Sequence, residues 1–119
     1  MGSSDHGPGG TPGVGPEDAD ALAGDGAMLL DVREPEEWSA GHAPAAHHVP
    51  LGELGNAIGG LRRDRRVVVV CRSGHRSAAA TGHLVRSGFD AVNLEGGMLA
   101  WAAAGLEMVA DGPGPPTVL

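Results

Sequence analysis

The 119-residue sequence has no lysine, no tyrosine, one cysteine, and one phenylalanine beside two tryptophans. One cysteine excludes an internal disulfide, so a reduced, cytoplasmic setting is expected. It leaves two readings of the thiol, a nucleophile or a small buried apolar residue. Positive charge is scarce: eight arginines against fifteen acidic residues give a formal net charge of -7. That balance argues against nucleic acid or an anionic membrane surface as a partner. No apolar run approaches the roughly 20 residues of a membrane span. No charged-then-apolar leader is read at the start, so secretion is not expected. Abundant alanine, glycine and arginine without lysine suggest GC-rich coding and a bacterial source, and carry no chemical information.

What is present falls into a core and two ends. Residues 1–13 (MGSSDHGPGGTPG) and 111–119 (DGPGPPTVL) are dominated by small, polar and proline residues. They offer too little apolar side chain to offset the entropy of ordering, and are read as flexible tails around a domain at 14–110. Pro16 with Glu17 and Asp18 reads as a helix start, and so does Pro35 with Glu36 and Glu37. Gly24 and Gly41 stop these two helices. Leu51, Leu54, Ile58 and Leu61 keep helical spacing, weakened by intervening glycines. Ser77–Ser87 and Gly97–Ala104 read as further helices. Ala27–Val32, His47–Pro50, Val67–Val70 and Ala91–Leu94 read as strands. The unbroken valine run at 67–70 lacks the alternation of a half-exposed strand, so both its faces should be covered, as in a parallel sheet. Strands alternating with helices predict an α/β fold, a mainly parallel sheet of about five strands with helices on both faces.

The chemistry concentrates in VVVVCRSGHRSAAATGHL, Val67–Leu84. Cys71 stands where a buried strand stops and a helix is about to begin, the place where parallel α/β sheets bind ligands. A loop curling around it would turn the N–H groups of Arg72, Ser73, Gly74, His75 and Arg76 toward the sulfur. The helix beginning near Ser77 adds its positive dipole end, and Arg72, Arg76 and His75 add positive charge. Such surroundings lower a thiol pKa by one to several units, which predicts a thiolate nucleophile. Gly74 supplies the residue free of Cβ constraints that a tight cradle needs. The bland alternative is a cysteine that merely ends a buried strand among solvated arginines.

Four segments in order resemble the single-domain rhodaneses, the thiosulfate-type sulfurtransferases: AMLLDVREPEEW, WSAGHAPAAHHVP, CRSGHRS and NLEGGMLAW. The resemblance covers about residues 14–109. Ala43 and Ala45 depart from the pattern, standing where a larger aliphatic and a glycine are usual. The resemblance implies a rhodanese-like fold and a reaction in two halves. Cys71 would accept a sulfane sulfur as a persulfide and then pass it to a thiol, cyanide or protein acceptor. The amides of residues 72–76 would hold the anionic outer sulfur. Arg76, and more variably Arg72, would attract an anionic donor such as thiosulfate. Asp31 and Arg33 would brace the loop from the neighbouring strand end, and Ser77 would support it from the following helix. No cofactor or metal is implied. With no second cysteine, the acceptor must come from outside the chain, and nothing suggests an obligate dimer, so a monomer is expected.

Two rivals remain. Phosphatases and arsenate reductases of related fold use Cys-x₅-Arg, whereas Cys71 to Arg76 is Cys-x₄-Arg, one residue tighter than a phosphate cradle. A non-catalytic, regulatory or sulfur-carrier domain on the same fold is the other. Several features are read as structural. The arginine-rich 61–66 segment precedes strand 67–70 and so lies roughly 13 Å from Cys71 at the opposite edge of the sheet. His47 and His48 point to opposite faces and cannot chelate one metal. His42 packs and hydrogen-bonds locally, and His83 is exposed or lightly packed. Trp38, Phe89 and Trp101 belong to the core, with Met98 or Trp101 as candidates for the pocket rim.

Overall fold

Five parallel strands form one twisted sheet in a computed structural model that describes residues 11–119. In chain order the elements are β1 (Gly13–Val14), α1 (Pro16–Gly24), β2 (Met28–Asp31), α2 (Pro35–Ala40), β3 (His47–His48), α3 (Leu54–Ala57, flanked by 3₁₀ turns), β4 (Val67–Val70), α4 (His75–Arg86), β5 (Ala91–Leu94) and α5 (Gly97–Ala103). The sheet order is β1-β5-β4-β2-β3, and every pairing is parallel.

The valine run explains the layering. β4 pairs with β2 on one side and β5 on the other, and its four residues are all buried. Successive side chains point to opposite faces. Val67 and Val69 join Met28, Leu30, Leu54, Ala80 and Leu84 on one face. Val68 and Val70 join Ala19, Leu29, Leu94, Met98 and Trp101 on the other. Helices α3 and α4 therefore cover one face, and α1 and α5 the other. Each fully buried Val or Leu side chain contributes about 1.5–3 kcal/mol. The central strand carries its share twice because neither face is left to water.

Several boundaries differ from the sequence reading, and three of them bear on the site or the chain ends. Gly13, assigned to the N-terminal tail, pairs with Asn93 in β1, and Pro12 O accepts Asn93 N–H at 2.8 Å. A two-residue strand held by main-chain bonds has no side-chain periodicity to betray it. The rest of that tail, residues 1–10, lies outside the described residues. Helix α4 begins at His75, two residues before the expected Ser77, because Gly74 with φ +104° already caps it. Residues 111–119 form neither helix nor strand, yet Thr117 N–H donates to Ala40 O at 2.9 Å and Asp111 N–H to Ser39 O at 3.0 Å. Val118 packs against the α1/α5 side of the core.

Candidate active site

Because β4 is buried to its last residue, Cys71 emerges at the carboxyl edge of the sheet with only 1% of its surface exposed. The chain then has three residues in which to turn into α4. Gly74 makes the turn in the left-handed region, and a Cβ there would sit 3.1 Å from the Gly96 nitrogen. Across from it, Gly96 and Gly97 (φ +79° and +58°) bring the start of α5 against the loop, and a Cβ on Gly97 would lie 2.5 Å from the main chain of Cys71 and Arg72. The carbonyls of Cys71 and Arg72 accept from Met98 N–H at 2.8 Å and Leu99 N–H at 3.0 Å. With those carbonyls turned toward α5, the loop's N–H groups are free to face the sulfur.

Three donors reach Cys71 Sγ: Gly74 N–H at 3.1 Å, Ser77 N–H at 3.3 Å and the Ser77 hydroxyl at 3.2 Å. This narrows the expectation that all amides of residues 72–76 converge on the sulfur. Arg72, His75 and Arg76 make no hydrogen bond to Sγ among the described residues. The N–H groups of His75 and Arg76 belong to the first turn of α4, where a helix has no internal acceptor to offer. Ser77, expected only to support the loop, instead touches the sulfur with both its groups. Burial pushes the Cys71 thiol pKa up. Hydrogen bonds from the Ser77 hydroxyl and from the N–H groups of Ser77 and Gly74 outweigh it, leaving the thiol below its ordinary value.

Arg76 points toward α2. Its two terminal nitrogens donate to both oxygens of Glu37 at 2.8 Å each, a bidentate pair. Glu37 is fixed in turn by the capping box of α2, where it accepts Glu34 N–H at 2.9 Å. The Arg76 bonds hold the Glu37 carboxyl at about 2, against the opposing effect of burial, and Glu37 raises the Arg76 guanidinium. The sequence reading took Glu37 only as an acid complementing a helix dipole and missed this role. Arg72 is exposed, and its Nε donates to Leu119 O at 2.5 Å. His75 is also exposed, with Nδ1 3.2 Å from the Ser73 hydroxyl.

Asp31 and Arg33 are both fully buried and form a bidentate ion pair, with Arg33 Nη2 2.7 Å from Asp31 Oδ2. Arg33 also donates to Gly41 O at 2.8 Å and Glu37 O at 3.3 Å. Neither side chain hydrogen-bonds the cysteine loop among the described residues. They fix the segment between β2 and α2, where Arg33 donates to the Glu37 carbonyl and the Glu37 carboxylate holds Arg76. Behind Cys71, sequence reasoning missed Asn93 on β5. Its Oδ1 accepts the Ser77 hydroxyl at 2.6 Å and its Nδ2 donates to Gly74 O at 3.1 Å.

The histidines sort by environment. Trp38 stacks between His42 and His48, with ring centroids 3.5 and 4.8 Å away. His42 Nδ1 donates to Trp38 O and His48 Nε2 to Arg33 O, both at 2.8 Å. His47 and His83 are exposed. Met98 and Trp101 are buried core residues and do not line the cavity beside the cysteine loop; Trp101 lines a separate one with Leu29 and Ala43. Among the described residues no three histidine, cysteine or carboxylate groups converge as metal ligands. A cavity of about 150 Å³ flanks the loop, lined by Ser73, Gly74, His75, Asn93, Glu95 and Gly96. A larger cavity, about 490 Å³, lies at the sheet's other edge among Val14, Arg66, Phe89 and Asp90, and no cysteine-loop residue lines it.

Residues 15–104 match the rhodanese-like domain family. The chain is 40% identical over 84 residues to a sulfurtransferase of Allochromatium vinosum, covering 70% of this chain and 78% of that protein. It is 34% identical over 89 residues to the thiosulfate sulfurtransferase GlpE of Stutzerimonas stutzeri, covering 74% and 82%. The crystal structure of a rhodanese-related protein from Thermoplasma volcanium superposes with a TM-score of 0.77 at 33% identity, covering 82% of this chain and 96% of that one.

Proposed function

The chain belongs to the rhodanese-like domain family, and on that premise we propose that it is a sulfurtransferase working through a Cys71 persulfide. The observation that carries the reading is the donor set at Cys71 Sγ, two N–H groups and a hydroxyl on a buried thiol at the carboxyl edge of a parallel sheet. Those donors favour the thiolate, the form that attacks sulfur.

With thiosulfate as donor, Cys71 thiolate attacks the outer sulfur. The sulfur–sulfur bond of thiosulfate breaks, sulfite leaves with the electron pair, and a persulfide anion remains on Cys71. The N–H groups of His75 and Arg76, in the first turn of α4 and without an intrahelical acceptor, would serve that anionic outer sulfur as an oxyanion hole serves oxygen. A thiolate or cyanide then takes the outer sulfur, and the electrons of the broken bond return to Cys71. Charge balances in both halves, and no redox partner is needed. Arg76, about one-third exposed, draws the dianionic donor in. A phosphatase reading fits less well because Cys71 to Arg76 is Cys-x₄-Arg, one residue tighter than a phosphate cradle.

The test is thiocyanate formation from thiosulfate and cyanide, with mass spectrometry of the protein after thiosulfate alone. The expected result is turnover, one added sulfur atom on the wild type, and neither in a folded Cys71→Ser variant. Activity retained by Cys71→Ser, or release of p-nitrophenol from its phosphate ester without sulfur transfer, would overturn the reading.

A further inference from the structure

The strand β5 is buried at every residue. Asn93 therefore has no water to turn to and must find partners inside the protein. It lies on the third position of that strand, 2% exposed, directly behind the cysteine loop. Its orientation follows from chemistry. Gly74 O can only accept, so the nitrogen of the Asn93 amide faces it at 3.1 Å. The oxygen is thereby aimed at Ser77, 2.6 Å away, and an amide oxygen can only accept. Ser77 must donate there.

A hydroxyl has a single proton. The same Ser77 oxygen lies 3.2 Å from Cys71 Sγ, so the proton that binds Asn93 is not available to the sulfur. When Sγ carries no charge, Ser77 donates to Asn93 and offers Sγ only its lone pairs. A thiolate at Sγ attracts the proton far more strongly, because hydrogen bonds to charged groups are about twice as strong as neutral ones. We propose that Asn93 is a positioning residue that withholds the Ser77 proton from Cys71 until Sγ becomes negatively charged. The hydroxyl turns to Sγ in the free thiolate and back to Asn93 once the inner sulfur is bonded in the persulfide. It turns to Sγ again as the acceptor removes the outer sulfur and the bonding electrons return to Cys71. No proton leaves the pair in this cycle; one hydrogen bond changes partner.

The consequence is a sign. Asn93 competes with Cys71, so it keeps the thiol more basic, and a more basic thiolate is the better nucleophile. A mere brace for the loop would act in the opposite direction, since slackening the Gly74 and Ser77 amides would raise the thiol pKa. Other charged groups around the site are Arg72, His75 and Arg76 on the loop and α4, Glu37 on α2 against Arg76, the Asp31–Arg33 pair after β2, and Glu95 at the end of β5. None of them hydrogen-bonds Sγ, Ser77 Oγ or Asn93 among the described residues, so an Asn93 substitution leaves them in place.

The proposal deepens the sulfurtransferase reading, but its test needs no turnover. With one cysteine and no tyrosine in the chain, the thiolate absorbance near 240 nm belongs to Cys71 alone. Its pH titration is compared in wild type, Asn93→Leu, Asn93→Ala (which removes atoms without adding bulk), Ser77→Ala and the Asn93→Ala/Ser77→Ala double variant. Circular dichroism identifies the folded ones. The expected result is a Cys71 pKa lowered by about one unit in the Asn93 variants, because the hydroxyl no longer gives up a bond to Asn93 when it turns to the thiolate. No lowering is expected when Ser77 is already Ala. An unchanged or raised pKa in the Asn93 variants, or a lowering that survives the loss of Ser77, would overturn the proposal. Absence of sulfur transfer in the wild type would fail the functional reading while leaving this titration intact.

Discussion

Both edges of the sheet carry arginines, and they put them to opposite uses. Before β4, at the amino edge, Arg62 pairs with Asp64, each 65% exposed. Arg66 pairs with Asp90 across open surface, and Arg63 lies over the Phe89 ring at 4.2 Å. At the carboxyl edge Arg33 is wholly buried against Asp31, and Arg76 is clamped by Glu37 beside the cysteine loop. The amino edge holds more of the charge and almost none of the consequence. Exposed pairs compete with water and are screened by salt. A buried pair has lost its water and depends on its partner. Counting arginines in the sequence would point to residues 62–66; burial and partners point to 33 and 76.

The sharpest way to break this contrast is Arg33→Ala. It strands the Asp31 carboxylate in a fully buried site and frees Gly41 O. Removing one partner of a buried pair costs about 3–5 kcal/mol, so the urea midpoint should drop steeply. The double variant Asp31→Leu/Arg33→Leu should recover much of the loss. A small effect of the single variant would place Arg33 with the surface arginines.

Arg76 should matter less to stability and more to substrate. Loss of a charged contact with the donor predicts that Arg76→Ala raises KM for thiosulfate about tenfold with little change in kcat. Glu37→Gln, by releasing Arg76 from its carboxylate, should lower the same KM. The pair also sets an acid limb. Glu37 titrates near 4.5 in the unfolded chain and is held at about 2 in the folded one. Its stabilisation is complete above pH 4.5 and is lost as pH falls toward 2. In Glu37→Gln the stability profile across that window should flatten. A profile identical to wild type would mean that the pair contributes nothing to the fold.

How far the sequence could be read follows from what each feature needs. The valine run announced β4, because a strand covered on both faces has a pattern of its own. Gly74 was legible because a tight turn at a strand end needs a positive φ, and +104° is what it adopts. Strand β1 was illegible because two residues paired through the main chain leave no pattern. Glu37 was assigned a local task, a helix dipole, because its partner lies 39 residues away, and Ser77 was read as supporting the loop because spacing alone does not show a side chain reaching back six residues to the sulfur. Asn93 left a clue that went unused. An amide in AVNL, within a strand expected to be covered, had to be satisfied inside the protein, and the cysteine loop was the polar neighbour available. Asp31 and Arg33 were recognised as a pair of interest, but two residues of separation could not say whether they held each other or the loop.

The smallest expected effect tests the other half of the contrast. β4 alone, four residues at about 3.3 Å each, separates the 62–66 segment from Cys71 by roughly 13 Å. The Debye length is about 8 Å at physiological ionic strength and about 30 Å at 0.01 M. Arg62→Ala should therefore leave kcat/KM for thiosulfate within about twofold of wild type at physiological salt, where its field is screened before it reaches the loop. At low salt the screening fails, and a modest fall for Arg62→Ala is expected there alone. A loss at physiological salt comparable to that of Arg76→Ala would mean that the amino edge steers the donor. Charge would then reach Cys71 across the sheet, and the division of labour between its two edges would not hold.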